Sequence, residues 1–155
     1  MRVFARFSIA RKQRGQAVVE TAGAMTFMLL LVIGIVDFTP AITWSVQLTQ
    51  AARDGAAYAR TDPTNTFQIR KRVVNSAPRV FGTLTDAQIT AMTNAEISVT
   101  CATGLSGAAK ACSSAVGGDS ITVTAGKNYQ TVTGLFARLL AAPLEISRSA
   151  TSEIF

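Results

Sequence analysis

From Thr21 to Val36 the chain carries sixteen consecutive residues without a charge, among them Met25, Phe27, Met28, Leu29, Leu30, Leu31, Val32, Ile33, Ile35 and Val36. As an α-helix this run covers about 24 Å, slightly less than the roughly 30 Å hydrocarbon core of a bilayer. Ala17 to Val19 before it and Phe38 to Trp44 after it complete a span if Glu20 and Asp37 lie near the two interfaces, which puts Trp44 in the outer aromatic belt. A helix so apolar needs lipid around it or a large protein core, and a chain of 155 residues has room for one anchor and one small domain. The sequence therefore divides into a basic leader at 1–15, a membrane helix at 16–44, its extramembrane continuation at 45–61 and a small domain at 62–155.

Charge gives the anchor its direction. Arg2, Arg6, Arg11, Lys12 and Arg14 all precede the first acid, and against them stands one early outward charge, Asp37, so the positive-inside rule places the N-terminus in the cytoplasm and the bulk of the chain outside. With those five cations removed, ten basic groups face nine acidic ones, a net charge of about +1 that offers no electrostatic case for nucleic-acid binding. Arg70-Lys71-Arg72 is the single later basic run; it reads as a solvated helix face, or else as a contact for an acidic patch on a partner. The join between leader and anchor reads Arg14-Gly15-Gln16-Ala17-Val18-Val19-Glu20. Secretory signals place their small cleavable residues after the apolar core; here Gly15 precedes it, so a cut there leaves the anchor on the mature chain.

Beyond the membrane the helical pattern continues to about Arg60, with Pro40 expected to kink it and Asp62-Pro63 to stop it. Ala41, Leu48, Ala52, Ala56 and Ala59 share one face, a small-residue stripe suited to close packing against the chain's own domain or against other subunits. Thr66 to Phe81 reads as a short helix ending before Pro78, and Thr85-Asp86-Ala87-Gln88 caps a further turn through Met92. Alternation at Ile97, Val99 and Cys101, and again at Ile121, Val123 and Ala125, predicts strands. Residues 132–141 predict an amphipathic helix. A last strand is expected over 144–154, with Leu144, Ile146, Ala150 and Ile154 on its buried face and Arg148 as the exception. Together these make an α+β chain: a long N-terminal helix, then an antiparallel sheet with short helices.

Cys101 and Cys112 bracket ten residues rich in Gly, Ala and Ser. In an exported domain a disulfide is the expected state, with free buried thiols or an intermolecular link as alternatives. The absence of histidine and of a second cysteine pair argues against a metal site. It also removes any Ser-His or Cys-His nucleophile, and the acids beyond Asp37 stand singly, so neither catalysis nor a cofactor is expected. Gly117-Gly118-Asp119 lacks the lysine and following helix of a phosphate loop and reads as a turn before a strand.

Three segments carry a family resemblance: Arg14 to Glu20, the helix end Gly34-Ile35-Val36-Asp37-Phe38, and Ala51-Ala52-Arg53-Asp54-Gly55-Ala56-Ala57-Tyr58-Ala59. Together they resemble the TadE-like minor pseudopilins of tight-adherence (Flp, type IVb) pili over roughly residues 13–60, and the tail, with Ile121-Thr-Val-Thr, a Leu/Phe-rich turn and then the run from Leu144, is similar to the C-terminal end of such proteins. The resemblance implies cleavage between Gly15 and Gln16 by a membrane prepilin peptidase. Glu20 then becomes the fifth mature residue, where its carboxylate would pair with a neighbouring subunit's free amine and set axial register. Thr21 stands where pilins commonly carry an aromatic residue. The implied partners are the peptidase, other pilins and pseudopilins, an assembly platform in the inner membrane, and lipid around Met25, Phe27, Leu29, Leu30, Leu31, Ile33 and Ile35. The implied role is in pilus assembly or priming and surface adhesion. The rival readings are a permanently anchored envelope binding module and a pseudopilin of a general secretion system.

Overall fold

The computed structural model describes residues 9–104, 107–132 and 143–155, with side chains from Gly15 onward. The leader through residue 8 and nearly all of the helix expected over 132–141 lie outside the described residues. Helix α1 runs from Ile9 to Ala59, passing unbroken through Pro40. Pro40 has no N–H to donate, and on either side of it Thr39 and Thr43 hydroxyls donate to the carbonyls of Ile35 and Thr39, at 2.7 and 3.0 Å. The helix stops just before Asp62, whose carboxylate accepts from the Thr64 hydroxyl and from the Thr64 and Asn65 N–H groups. These hydrogen bonds, that of the Thr64 hydroxyl foremost, hold the Asp62 carboxyl below its ordinary 3.8.

Three short helices follow: α2 at Thr66–Ser76, α3 at Pro78–Phe81 and α4 at Asp86–Ala91. The Asn65 side chain caps α2, Pro78 occupies the first turn of α3, and Thr85 with Gln88 forms a reciprocal capping box on α4. Strands β1 (Ile97–Ala102), β2 (Ala109–Lys110), β3 (Ser120–Tyr129) and β4 (Leu144–Glu153) form one antiparallel sheet in the order β2-β1-β3-β4. The fold is α+β, a long apolar N-terminal helix followed by a small domain with a four-stranded antiparallel sheet.

Period-two alternation decides what each sheet face meets. Ile97 and Cys101 of β1, Ile121, Val123, Ala125 and Tyr129 of β3, and Ile146 of β4 are buried toward the helices. The opposite face presents hydroxyls, with Thr122 and Thr151 bonded Oγ1 to Oγ1 at 2.8 Å across β3 and β4. On the helix side, α1 supplies Leu48, Ala51, Ala56 and Ala59, and α2 supplies Ile69, Val73 and Val74, all in one core. The small-residue stripe of α1 is thus used by the chain's own domain, which closes one of the two uses the sequence left open.

Two expectations for β4 and α2 need correction. Leu144 was expected on the buried face of β4, but it stands at the start of the strand and is 40% exposed. The basic run of α2 is not merely solvated: Arg70 donates to the Met92 carbonyl (3.0 Å) and Asn94 Oδ1 (2.9 Å), Lys71 pairs with Asp86 at 2.9 Å, and the Arg72 guanidinium stands 5.5 Å from the Tyr58 ring. These side chains tie α2 to α1, to α4 and to the loop before β1.

Candidate membrane-anchoring and assembly helix

From Gly15 to Val32 every residue of α1 is exposed, because the domain begins to cover the helix only further along. This stretch contains Met25, Phe27, Leu29, Leu30 and Leu31; Ile33 is half-buried and Ile35 exposed again. Among the described residues, α1 is the one helix long and apolar enough to cross a membrane. At its start, a Cβ added to Gly15 meets no atom within 4 Å. One turn on, the Gln16 side-chain amide donates to Glu20 Oε1 at 3.3 Å, an exposed bond across a single helical turn. Gly15, Gln16 and Glu20 therefore share one accessible helix segment, remote from the sheet.

The lower boundary of the domain is set at Asp37, which is 2% exposed. The Tyr129 hydroxyl donates to the Asp37 main-chain carbonyl at 2.9 Å, and its ring meets Trp44 edge-on, with centroids 5.1 Å apart. Burial pushes the Tyr129 hydroxyl above its usual 10.0, and the nearby Asp37 charge adds to the effect. Trp44, expected at an interfacial belt, has an aromatic partner within the domain. Tyr129 was not singled out from sequence, because Gly126-Lys127-Asn128 interrupts the apolar alternation. Its signal was the odd register of Ile121, Val123 and Ala125, which returns to the buried face at Tyr129. Lys127 shares that face, pairs with Glu96 at 3.2 Å and lies 5.5 Å from the Phe81 ring.

Further along, β4 runs in the same direction as α1: Arg148 Nε and Nη2 both donate to Ser45 Oγ (3.1 and 2.8 Å), and Arg60 Nε donates to the Glu153 carbonyl at 3.2 Å. At the other edge of the sheet, Cys101 and Cys112 are disulfide-bonded with Cα atoms 5.2 Å apart. The ten residues between them contain β2, a two-residue strand that sequence patterning did not show. Its Lys110 pairs at 2.7 Å with Asp119, whose carboxylate also accepts from the Val116 N–H. The Lys110 hydrogen bond, then that of Val116, lowers the Asp119 carboxyl from 3.8. Gly118, at φ 89°, makes the turn before β3, as the Gly-Gly-Asp reading predicted.

The arrangement contains two separable devices: a bare apolar helix with one acid near its start, and a stapled domain clamped around that helix from Asp37 onward. No curated protein and no solved structure matches the chain. The model of the TadE-like protein family does match it, over residues 15–57, beginning at Gly15 and ending within the clamped part of α1. Over those residues the chain is similar to TadE-like proteins.

Proposed function

We propose that this chain is a minor pseudopilin of a tight-adherence pilus, without catalytic activity, that acts in pilus assembly or priming and in surface adhesion. A prepilin peptidase cuts between Gly15 and Gln16 on the cytoplasmic side. The mature chain is then a single-pass protein of the inner membrane with its domain in the periplasm, from where it enters the pilus through contacts with other pilins and the assembly platform. The observation that carries this reading is that the family match, over residues 15–57, takes in the exposed apolar part of α1.

Uncovered apolar surface of this size needs lipid or protein around it. Lipid serves the resident protein, and the helices of other subunits serve a filament. Glu20 gives the second environment a register. Its carboxylate is costly at the edge of an apolar bundle unless a cation stands beside it, and the amine created at Gln16 of a neighbouring subunit supplies one.

N-terminal sequencing and intact mass of the protein from its native membrane test the reading. A start at Gln16 is expected. A start at Met1 would favour a permanently anchored envelope module.

A further inference from the structure

Strand β4 is an edge of the sheet, and among the described residues no strand pairs with its outer side. The direction of its main-chain groups is fixed at its end. The Ile154 N–H donates to the Asp119 carbonyl at 2.8 Å, and the Ile154 carbonyl accepts from the Gly118 N–H at 3.0 Å, so both groups of Ile154 face the β3 side. In an antiparallel pair that direction alternates with each residue, and the register with β3 runs unbroken from Glu153 to Leu144. Leu144, Ile146, Arg148, Ala150 and Ser152 therefore bond β3. Glu145, Ser147, Ser149, Thr151 and Glu153 turn their N–H and C=O groups outward, where an edge strand invites another chain.

Two of those outward carbonyls are occupied, each by an arginine. Arg60 Nε, just past the end of α1, donates to the Glu153 carbonyl at 3.2 Å, and Arg148 Nη1 donates to the Ser147 carbonyl at 2.9 Å. Each guanidinium is held from a second direction: that of Arg60 lies 3.9 Å over the Phe155 ring, and that of Arg148 also donates to Ser45 of α1 through Nε and Nη2. A guanidinium on an outward carbonyl stands where the N–H of an incoming strand would have to come, and it places a charge beside the edge. This gives a reason for the cation at 148, which breaks the apolar pattern on the face toward α1. The acids act in the same sense: a second β4 added antiparallel over its full length is centred on Ser149 and sets exposed Glu145 against exposed Glu153 at both ends.

We infer that Arg60 and Arg148 plug the open edge of β4 and keep a second copy of the chain from adding its own β4 there. Between the two plugs only Ser149 and Thr151 keep both outward groups open, fewer than an added strand of ordinary length uses. The inference concerns the domain and does not depend on a pilus role.

The full chain in detergent, where two copies can meet in either sense, tests it. Arg60→Met combined with Arg148→Met removes both donors and keeps the apolar stems. Light scattering should then show assemblies larger than those of the wild type, severalfold more abundant, while Trp44 fluorescence stays unchanged. Ser149→Pro is the control: the Ser149 N–H points outward and makes no bond to β3, so proline spares the sheet and obstructs an added strand. Added to the arginine variant, it should return the mass to the wild-type value. A folded arginine variant no larger than the wild type would overturn the inference, as would assemblies that persist with Ser149→Pro, since they form elsewhere. Loss of the fold in Ser149→Pro alone would overturn the assignment of outward groups on which the inference stands. If the double arginine variant unfolds, Arg148→Met alone decides, because Arg60 still holds the Glu153 carbonyl: assemblies that Ser149→Pro removes are expected, and their absence refutes the plug.

Discussion

Replacing Gly55 with alanine sets two effects of known size against each other. In an uncrowded helix the change stabilises by about 1 kcal/mol, because alanine restricts the unfolded chain and favours the helix. At this position, however, the added methyl would lie 2.5 Å from Val73 Cγ2 and 3.2 Å from Val123 Cγ1. Val73 cannot turn aside easily, since a β-branched side chain on a helix has one strongly favoured rotamer and this one is fully buried. Overpacking of this kind costs roughly 1–3 kcal/mol. The net expectation is a loss of about 1 kcal/mol, or about 4–8 °C in Tm for a small domain. Thermal unfolding of the full chain in detergent, followed by circular dichroism and Trp44 fluorescence, measures it. Val73→Ala alone should cost about 2 kcal/mol through lost burial and the space left behind. Combined with Gly55→Ala it should cost at least about 1 kcal/mol less than the sum, because the second change makes room for the first. A stabilised Gly55→Ala protein, or strict additivity in the pair, would refute the packing argument.

Gly15→Leu should leave a longer, unprocessed chain in the membrane, visible as a shift in intact mass; normal processing would sink the cleavage assignment. Glu20→Ala should insert normally but reduce recovery in sheared pili severalfold, and equal recovery would remove the register role. Tyr129→Phe keeps the ring against Trp44 but loses the bond to the Asp37 carbonyl, so a loss of about 1 kcal/mol is expected at neutral pH. Because the folded-state pKa of Tyr129 is raised, its contribution is complete below pH 10 and declines as pH rises toward the raised value. The gap between wild type and Tyr129→Phe should therefore narrow in alkaline unfolding experiments, and a gap independent of pH would contradict the assignment. The double substitution Cys101→Ala with Cys112→Ala should cost about 3 kcal/mol by the loop-entropy estimate, read as a lowered denaturant midpoint. An unchanged midpoint would mean that β2 and the Lys110–Asp119 pair hold the loop alone.

The parts of this molecule that were legible in sequence are those governed by local rules. The apolar run, the Thr85–Gln88 cap, the alternation in β1 and β3 and the turn at Gly118 each depend on a few adjacent residues. The cysteine pairing was legible because only two cysteines exist. What was not legible depends on contacts between distant segments. The sequence shows the alanine stripe of α1 but not its occupant, since a small-residue face fits any closely approaching surface. The basic run of α2 looked solvated because its partners Asn94 and Tyr58 lie 24 and 14 residues away. Trp44 matched a membrane belt by type and place, and only the register of β3 brings Tyr129 to it. Gly15, Gln16 and Glu20 were found by motif, and the structure adds their exposure and separation from the domain.

The clamp between sheet and helix also has a consequence in time. Its fastenings join residues about ninety to a hundred positions apart: Tyr129 with Asp37, Arg60 with Glu153, Arg148 with Ser45. Helices form from local contacts, whereas pairings this remote come late in folding. Synthesis therefore delivers α1 long before β4 exists, and the alanine stripe must wait uncovered until the far part of the chain arrives. The helix is in this sense a template laid down first, and the domain is cast onto it afterwards.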